Sequence, residues 1–137
     1  MGKKITIEVS GKTLSAELNG TRTAELFYDT LPSRISMRRW GDEYYGDIGL
    51  NVERSEDARA DMEIGELAIW PEGNALCIFF GPTPASVDEK PRAISPVNPV
   101  GTVLDDVSFL KGLPERIEIE CNLTSPFFRV SFSHFES

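Results

Sequence analysis

Two apolar runs separated by a four-residue turn set the strongest constraint on this chain. Leu67 and Ile69 alternate with Ala68 and Trp70; after Pro71-Glu72-Gly73-Asn74, Leu76, Ile78 and Phe80 alternate with Ala75, Cys77 and Phe79. A period of two sends successive side chains to opposite faces of a strand. A Pro/Gly/Asn turn between two such runs joins them as a hairpin. Leu67, Ile69, Ile78 and Phe80 then fill a core, and Trp70 and Phe79 emerge together on the other face.

The same rhythm recurs along the chain. Ile5, Ile7 and Val9 alternate with Thr6 and Glu8, and after Ser10-Gly11-Lys12 the residues Leu14, Ala16 and Leu18 alternate again, giving a first hairpin. Near Asn19-Gly20-Thr21 the period changes. Asn19 or Thr21 caps a helix, Ala24, Phe27 and Leu31 share its apolar face, and Pro32 ends it. Residues 33–48 read as two extended pieces around Gly41-Asp42, and 51–61 as a solvated excursion. Residues 81–99 hold five prolines and read as a long loop, with strand character returning from 97 to 104. Residues 105–112 read as a short helix capped by Asp105 and stopped by Gly112. Ile117, Ile119 and Cys121 make a further strand, and Phe128, Val130 and Phe132 another. About eight short strands with one or two short α-helices predict a mainly β, closed barrel or sandwich, a single domain over residues 3–135.

Composition narrows the function classes. The 137 residues fit one domain, and a net charge of −8 repels phosphate backbones and anionic lipid, so neither nucleic acid nor membrane is an expected partner. No apolar run approaches the ~18 residues of a membrane helix, and no signal-peptide pattern opens the chain. Met1-Gly2 fits a loose myristoylation pattern and Asn122-Leu123-Thr124 a glycosylation acceptor; a strand at each position argues against both. Cys77 and Cys121 lie in apolar strand runs and read as small buried hydrophobes, open to one bridge if their strands are neighbours. Free thiols and a cytoplasmic protein are expected. One histidine, His134, and two strand cysteines give no zinc spacing, so no metal and no cofactor are expected. Phosphate-loop, dinucleotide and nucleophile-elbow motifs are lacking, and Asp42 and Glu43 point to opposite faces if extended, making poor acid–base partners.

The basic knot Arg34, Arg38 and Arg39 offers rigid forks of donors for an anion or a carbonyl, or simply surface ion pairs. Trp70 with Phe79 forms an apolar wall or ordinary packing, and Trp40 a cap on one end of a barrel. Thr83, in the stiff run Gly81-Pro82-Thr83-Pro84, presents a hydroxyl and backbone amides to a ligand, or belongs to a loop that merely limits the freedom of the unfolded chain.

The order of elements resembles the cyclophilin fold, and more closely a small prokaryotic cyclophilin-like family of unknown function. The residues that carry this are Arg39-Trp40-Gly41-Asp42-Glu43, Gly65 through Pro71, Ile78-Phe79-Phe80-Gly81-Pro82-Thr83-Pro84-Ala85-Ser86 and Pro96-Val97-Asn98-Pro99-Val100-Gly101. The resemblance implies a closed eight-stranded barrel and a groove. Arg34 stands about where a cyclophilin has its catalytic arginine, and Phe79 is similar to the phenylalanine of its proline pocket. Ser86 and Asn98 join the candidates through the family pattern. The tryptophan and histidine that cyclophilins contribute from the following loop are absent from residues 85–98. The expected function is therefore binding of a small-molecule or peptide-like ligand by Arg34, Arg38, Trp70, Phe79, Thr83, Ser86 and Asn98, without obvious catalysis. The alternatives are a weak peptidyl-prolyl isomerase and an assembly module that forms a homodimer through the strand near 127–135.

Overall fold

Alternating apolar residues dictate strands that must bury one face, and here they do so by pairing in a ring. The structure, a computed structural model, describes residues 2–124; the expected strand near Phe128 and the dimer contact built on it lie outside them. The elements are β1 (Lys4–Val9), β2 (Lys12–Leu18), α1 (Arg22–Tyr28), β3 (Ser33–Arg39), β4 (Glu43–Asp47), β5 (Arg59–Asp61), β6 (Glu66–Trp70), β7 (Ala75–Phe79), β8 (Arg92–Val103) and β9 (Arg116–Leu123). Antiparallel pairing runs β2-β1-β9-β3-β4-β7-β6-β8, and β8 pairs again with β2 through Ala16↔Val103 and Leu18↔Gly101. Eight strands thus leave no free edge among themselves, which removes the open ladder that invites aggregation. Short β5 lies against β8.

The inward rows are those the alternation predicts. Ile5, Ile7, Leu14, Leu67, Ile69, Ile78 and Phe80 are all buried in one cluster, and α1 adds Ala24 and Phe27. Thr21 caps α1, its Oγ1 accepting from the Ala24 amide at 3.2 Å, while Asn19 accepts from Thr21. Burying each large side chain contributes roughly 1.5–3 kcal/mol, so the ring's interior is the main source of stability.

Two expectations change. The proline-rich loop ends at Pro91, and β8 starts at Arg92 rather than near Val97. Pro96 and Pro99 sit where the ladders are irregular: the β5 pairing shifts between Arg59 and Asp61, and the β6 pairing slips between Leu67 and Ala68. Proline is tolerated in strands at such places. Residues 105–112 hold no α-helix, only a 3-10 turn at Ser108–Gly112. Asp106 accepts from the Ser108 amide at 2.9 Å, whereas Asp105 accepts from Ser15 on β2. Cys77 and Cys121 are buried free thiols on β7 and β9, which are not neighbours.

Arg39 bolts the β3–β4 turn to the segment entering β9. Its Nε donates to the Gly41 carbonyl at 2.8 Å, Nη1 to the carbonyls of Lys111 and Leu113 at 2.9 and 3.0 Å, and Nη2 to Asp42 Oδ1 at 2.8 Å. The guanidinium also stands 5.2 Å from the Phe80 ring centroid. Gly41 has φ +60°, and a Cβ there would meet Pro84 Cδ at 2.7 Å and Thr83 Cα at 2.8 Å, so the proline loop rests directly on this turn. Arg39→Lys keeps the charge but loses the fork. It is expected to lower unfolding free energy by about 2–4 kcal/mol, since charged hydrogen bonds to half-buried acceptors contribute roughly 1.5–3 kcal/mol each; urea denaturation checks this.

Candidate functional site

The site lies on the outer face of the ring, where period two turns the second row of each strand away from the core. The register sets Glu43 opposite Phe79 and Tyr45 opposite Cys77 between β4 and β7, and Ala68 opposite Cys77 between β6 and β7. This row is apolar enough to need its own cover. Met62, Ala68, Cys77, Phe79, Ala93 and Val97 form a second buried cluster, with Tyr45 and Trp70 packed against it.

The cover is incomplete at one end. There a cleft of about 120 Å³ opens between Trp40, Tyr45, Trp70, Cys77, Ala93, Ile94 and Val97, with Glu43 in its wall. The two-residue turn Gly41-Asp42 sets Trp40 beside Glu43 through reciprocal backbone bonds of 2.8 and 3.2 Å. Trp70 is fixed at both ends. Its Nε1–H donates to Ser95 Oγ at 2.8 Å, and its ring lies so close to Gly73 that a Cβ there would stand 2.3 Å from Cε3.

Glu43 is the electrostatic anomaly. It is 5% exposed, and its Oε1 is buried with no hydrogen-bond partner. Burial raises its carboxyl to about 7, offset in part by the Cys77 thiol beside it. Burial, and then the Glu43 charge, push the Cys77 thiol well up, so it stays protonated and is no nucleophile.

The candidate residues scatter around this cleft. Trp70 is in its wall. Phe79 shares that outer face but is fully buried beneath the cover, outside the cleft lining. Arg34 is on another part of the surface, exposed and paired with Glu120 at 2.7 Å, beside a shallow hollow formed with the β1–β2 turn. Arg38 is exposed and lies opposite Tyr45, a cleft residue, in the β3–β4 ladder, but does not line the cleft itself. Thr83 and Ser86 spend their hydroxyls inside the loop: Thr83 Oγ1 donates to the Arg92 carbonyl, and Ser86 Oγ donates to the Lys90 carbonyl at 2.6 Å and accepts from the Thr83 amide at 2.9 Å. Asn98 is buried; it accepts from the Ser55 amide and donates to the Glu53 carbonyl and Thr23 Oγ1, pinning the 51–58 excursion. Trp40, Glu43 and Tyr45 were not singled out as ligand contacts from sequence. The signal for Glu43 was available: an acid in step with Tyr45 on a strand whose other row is core. Among the described residues, no three His, Cys, Asp or Glu side chains gather as metal ligands.

A ring of antiparallel strands with one helix and an outer-face cleft defines a β-sheet protein of cyclophilin type. The model of the cyclophilin-like family matches residues 3–122, and the chain belongs to that family. Its structure is similar to the solution structure of a hypothetical protein from Archaeoglobus fulgidus, with a TM-score of 0.75 at 30% identity over 90% of this chain and 95% of that one. Among curated proteins, none matches the chain.

The buried carboxyl makes stability depend on pH. Glu43 holds its proton more tightly folded, near 7, than at its ordinary value of 4.5. The folded state therefore binds more protons between those values, and stability falls as pH rises through that window. The full loss above pH 7 is on the order of 3 kcal/mol. Glu43→Gln is expected to flatten the difference in urea unfolding between pH 5 and pH 8; an unchanged slope assigns the pH dependence elsewhere. Arg34→Ala, an exposed ion pair, is expected to leave the midpoint unmoved.

Proposed function

We propose that this protein is a closed cyclophilin-like barrel that binds a small ligand, or one side group of a peptide-like ligand, in the Trp40–Tyr45–Trp70 cleft, without catalysis of its own. The observation that carries this reading is Glu43, a buried carboxyl with no countercharge, whose Oε1 has no hydrogen-bond partner, in an otherwise apolar wall. Buried polar groups are nearly always satisfied, and exceptions concentrate where a partner arrives from outside. A space of about 120 Å³ suits a group of a few heavy atoms. Trp70, held by Ser95 and Gly73, is preorganised for contact and loses little entropy on binding. The sequence-based role of Arg34 passes in this reading to Arg38, opposite Tyr45. The two free buried thiols accord with a reducing, cytoplasmic setting.

Isomerase activity is the competing reading, since an arginine beside an aromatic pocket suits a proline ring and its carbonyl. A protease-coupled assay on an X-Pro peptide separates the two, and a rate equal to the uncatalysed one is expected. Turnover lost in Arg38→Ala would instead establish the enzyme.

Both tryptophans of the chain line this one cleft, so selectively excited tryptophan fluorescence reports on it. In a screen of small ring compounds, binders are expected to change tryptophan emission and to shift the amides of residues 40–45 and 94. Trp70→Ala should weaken such binders at least tenfold, as hot-spot aromatics do. Shifts confined to the hollow around Arg34 would reject the cleft.

A further inference from the structure

We infer that the cleft recognises a small organic cation, a cyclic or alkylated ammonium group, walled by Trp40, Tyr45 and Trp70 and countered by Glu43. This rests on the ligand-binding reading above and names the chemistry of its ligand. Three observations carry it.

First, the cleft's one buried acid lacks a countercharge. On its own strand Glu43 has Tyr45 as outer-row neighbour; on β7 it stands opposite Phe79, with the uncharged Cys77 thiol beside it. Asp42, the adjacent acid, is engaged with Arg39 at 2.8 Å and stands 3.9 Å from Lys111. Arg38, across from Tyr45 on β3, is exposed and not part of the cleft lining. A buried acid without a countercharge either keeps its proton or receives a cation.

Second, the walls have the chemistry that holds cations. Indole and phenol faces carry negative quadrupole potential, and quaternary and alkylated ammonium groups are bound in cages of such rings. Two tryptophans and one tyrosine in a space of about 120 Å³ match a headgroup of five or six heavy atoms. A free ammonium ion is strongly hydrated, whereas an alkylated one is not, so the apolar walls favour the latter.

Third, the acidic protein as a whole, at −8, attracts cations and speeds their arrival.

The rival chemistry is a neutral Glu43 donating its proton to a ligand carbonyl, and pH tells the two apart. A cation needs Glu43 ionised. With the free carboxyl near 7, affinity should be about tenfold weaker at pH 6 than at pH 8. A carbonyl ligand would bind more tightly at pH 6.

The test is tryptophan fluorescence titration of the full chain with pyrrolidinium chloride and with tetrahydrofuran, its uncharged ring counterpart, at pH 6, 7 and 8. Pyrrolidinium is expected to bind at least tenfold more tightly than tetrahydrofuran at pH 8, to weaken toward pH 6, and to lose that preference in Glu43→Gln. The wild-type pH profile and the charged-to-uncharged ratio carry the test even if the variant folds poorly. Equal binding of the two rings, or tighter binding at pH 6, overturns the cation assignment while leaving the cleft a binding site. Neither ring changing the emission overturns both.

Discussion

Strand β7 is buried along its entire length, and the rest of the molecule is arranged around that demand. Its inner row, Leu76 and Ile78, is satisfied by the ring itself. Its outer row, Cys77 and Phe79, would face water in an ordinary antiparallel sheet with one wet side. Here Met62, with Ala93 and Val97 of β8, packs over it, and Gly41 and Gly81 let the proline loop lie directly on the β3–β4 turn. A Cβ on Gly81 would stand 2.4 Å from the Asp42 carboxylate. The cleft is the end of this outer layer where covering stops. Its aromatic walls continue the second cluster, against which Tyr45 and Trp70 pack.

Much of this was legible in the sequence, and the limits of legibility have a physical pattern. Alternation assigned Leu67, Ile69, Ile78 and Phe80 to the core and turned Trp70 and Phe79 outward, because a period of two depends only on backbone geometry. What covers an outward face depends on distant segments, and no local pattern announces it. That is why Phe79 reads as a groove wall and is instead a fully buried base beneath the cover. The start of β8 was hidden for a related reason. Pro96 and Pro99 look like breakers, yet they occupy ladder irregularities that exist only once β5 and β6 have paired.

The three arginines show the same division between chemistry and placement. Their forks promise recognition of carbonyls and anions, and the promise is kept in three different ways. Arg39 gathers three backbone carbonyls and Asp42 and serves the fold. Arg34 pairs with Glu120 in solvent, where such pairs contribute little. Arg38 is exposed opposite Tyr45 in the β3–β4 ladder. Residues a few positions apart on one strand differ in role because alternation separates Arg39 from Arg38, and the distance along β3 separates Arg38 from Arg34.

Glu43 sits where these threads meet. A glutamine, or an apolar residue of similar size, would relieve the fold of a buried acid at no loss to the ring, whose closure uses the backbone of β4 and the inner residue Tyr44. The acid is nonetheless directed into a space with three aromatic rings. It lies one residue from Asp42, which has Arg39 of β3 at 2.8 Å and Lys111 of the 3-10 turn at 3.9 Å. The fold thus gives one of two adjacent acids cations and leaves the other without one. Where a fold can neutralise a charge and does not, the cost is carried locally and set against the net stability of the whole domain, itself only a few kcal/mol. That cost is confined to the wall of an open cleft, which is why the binding site is proposed there.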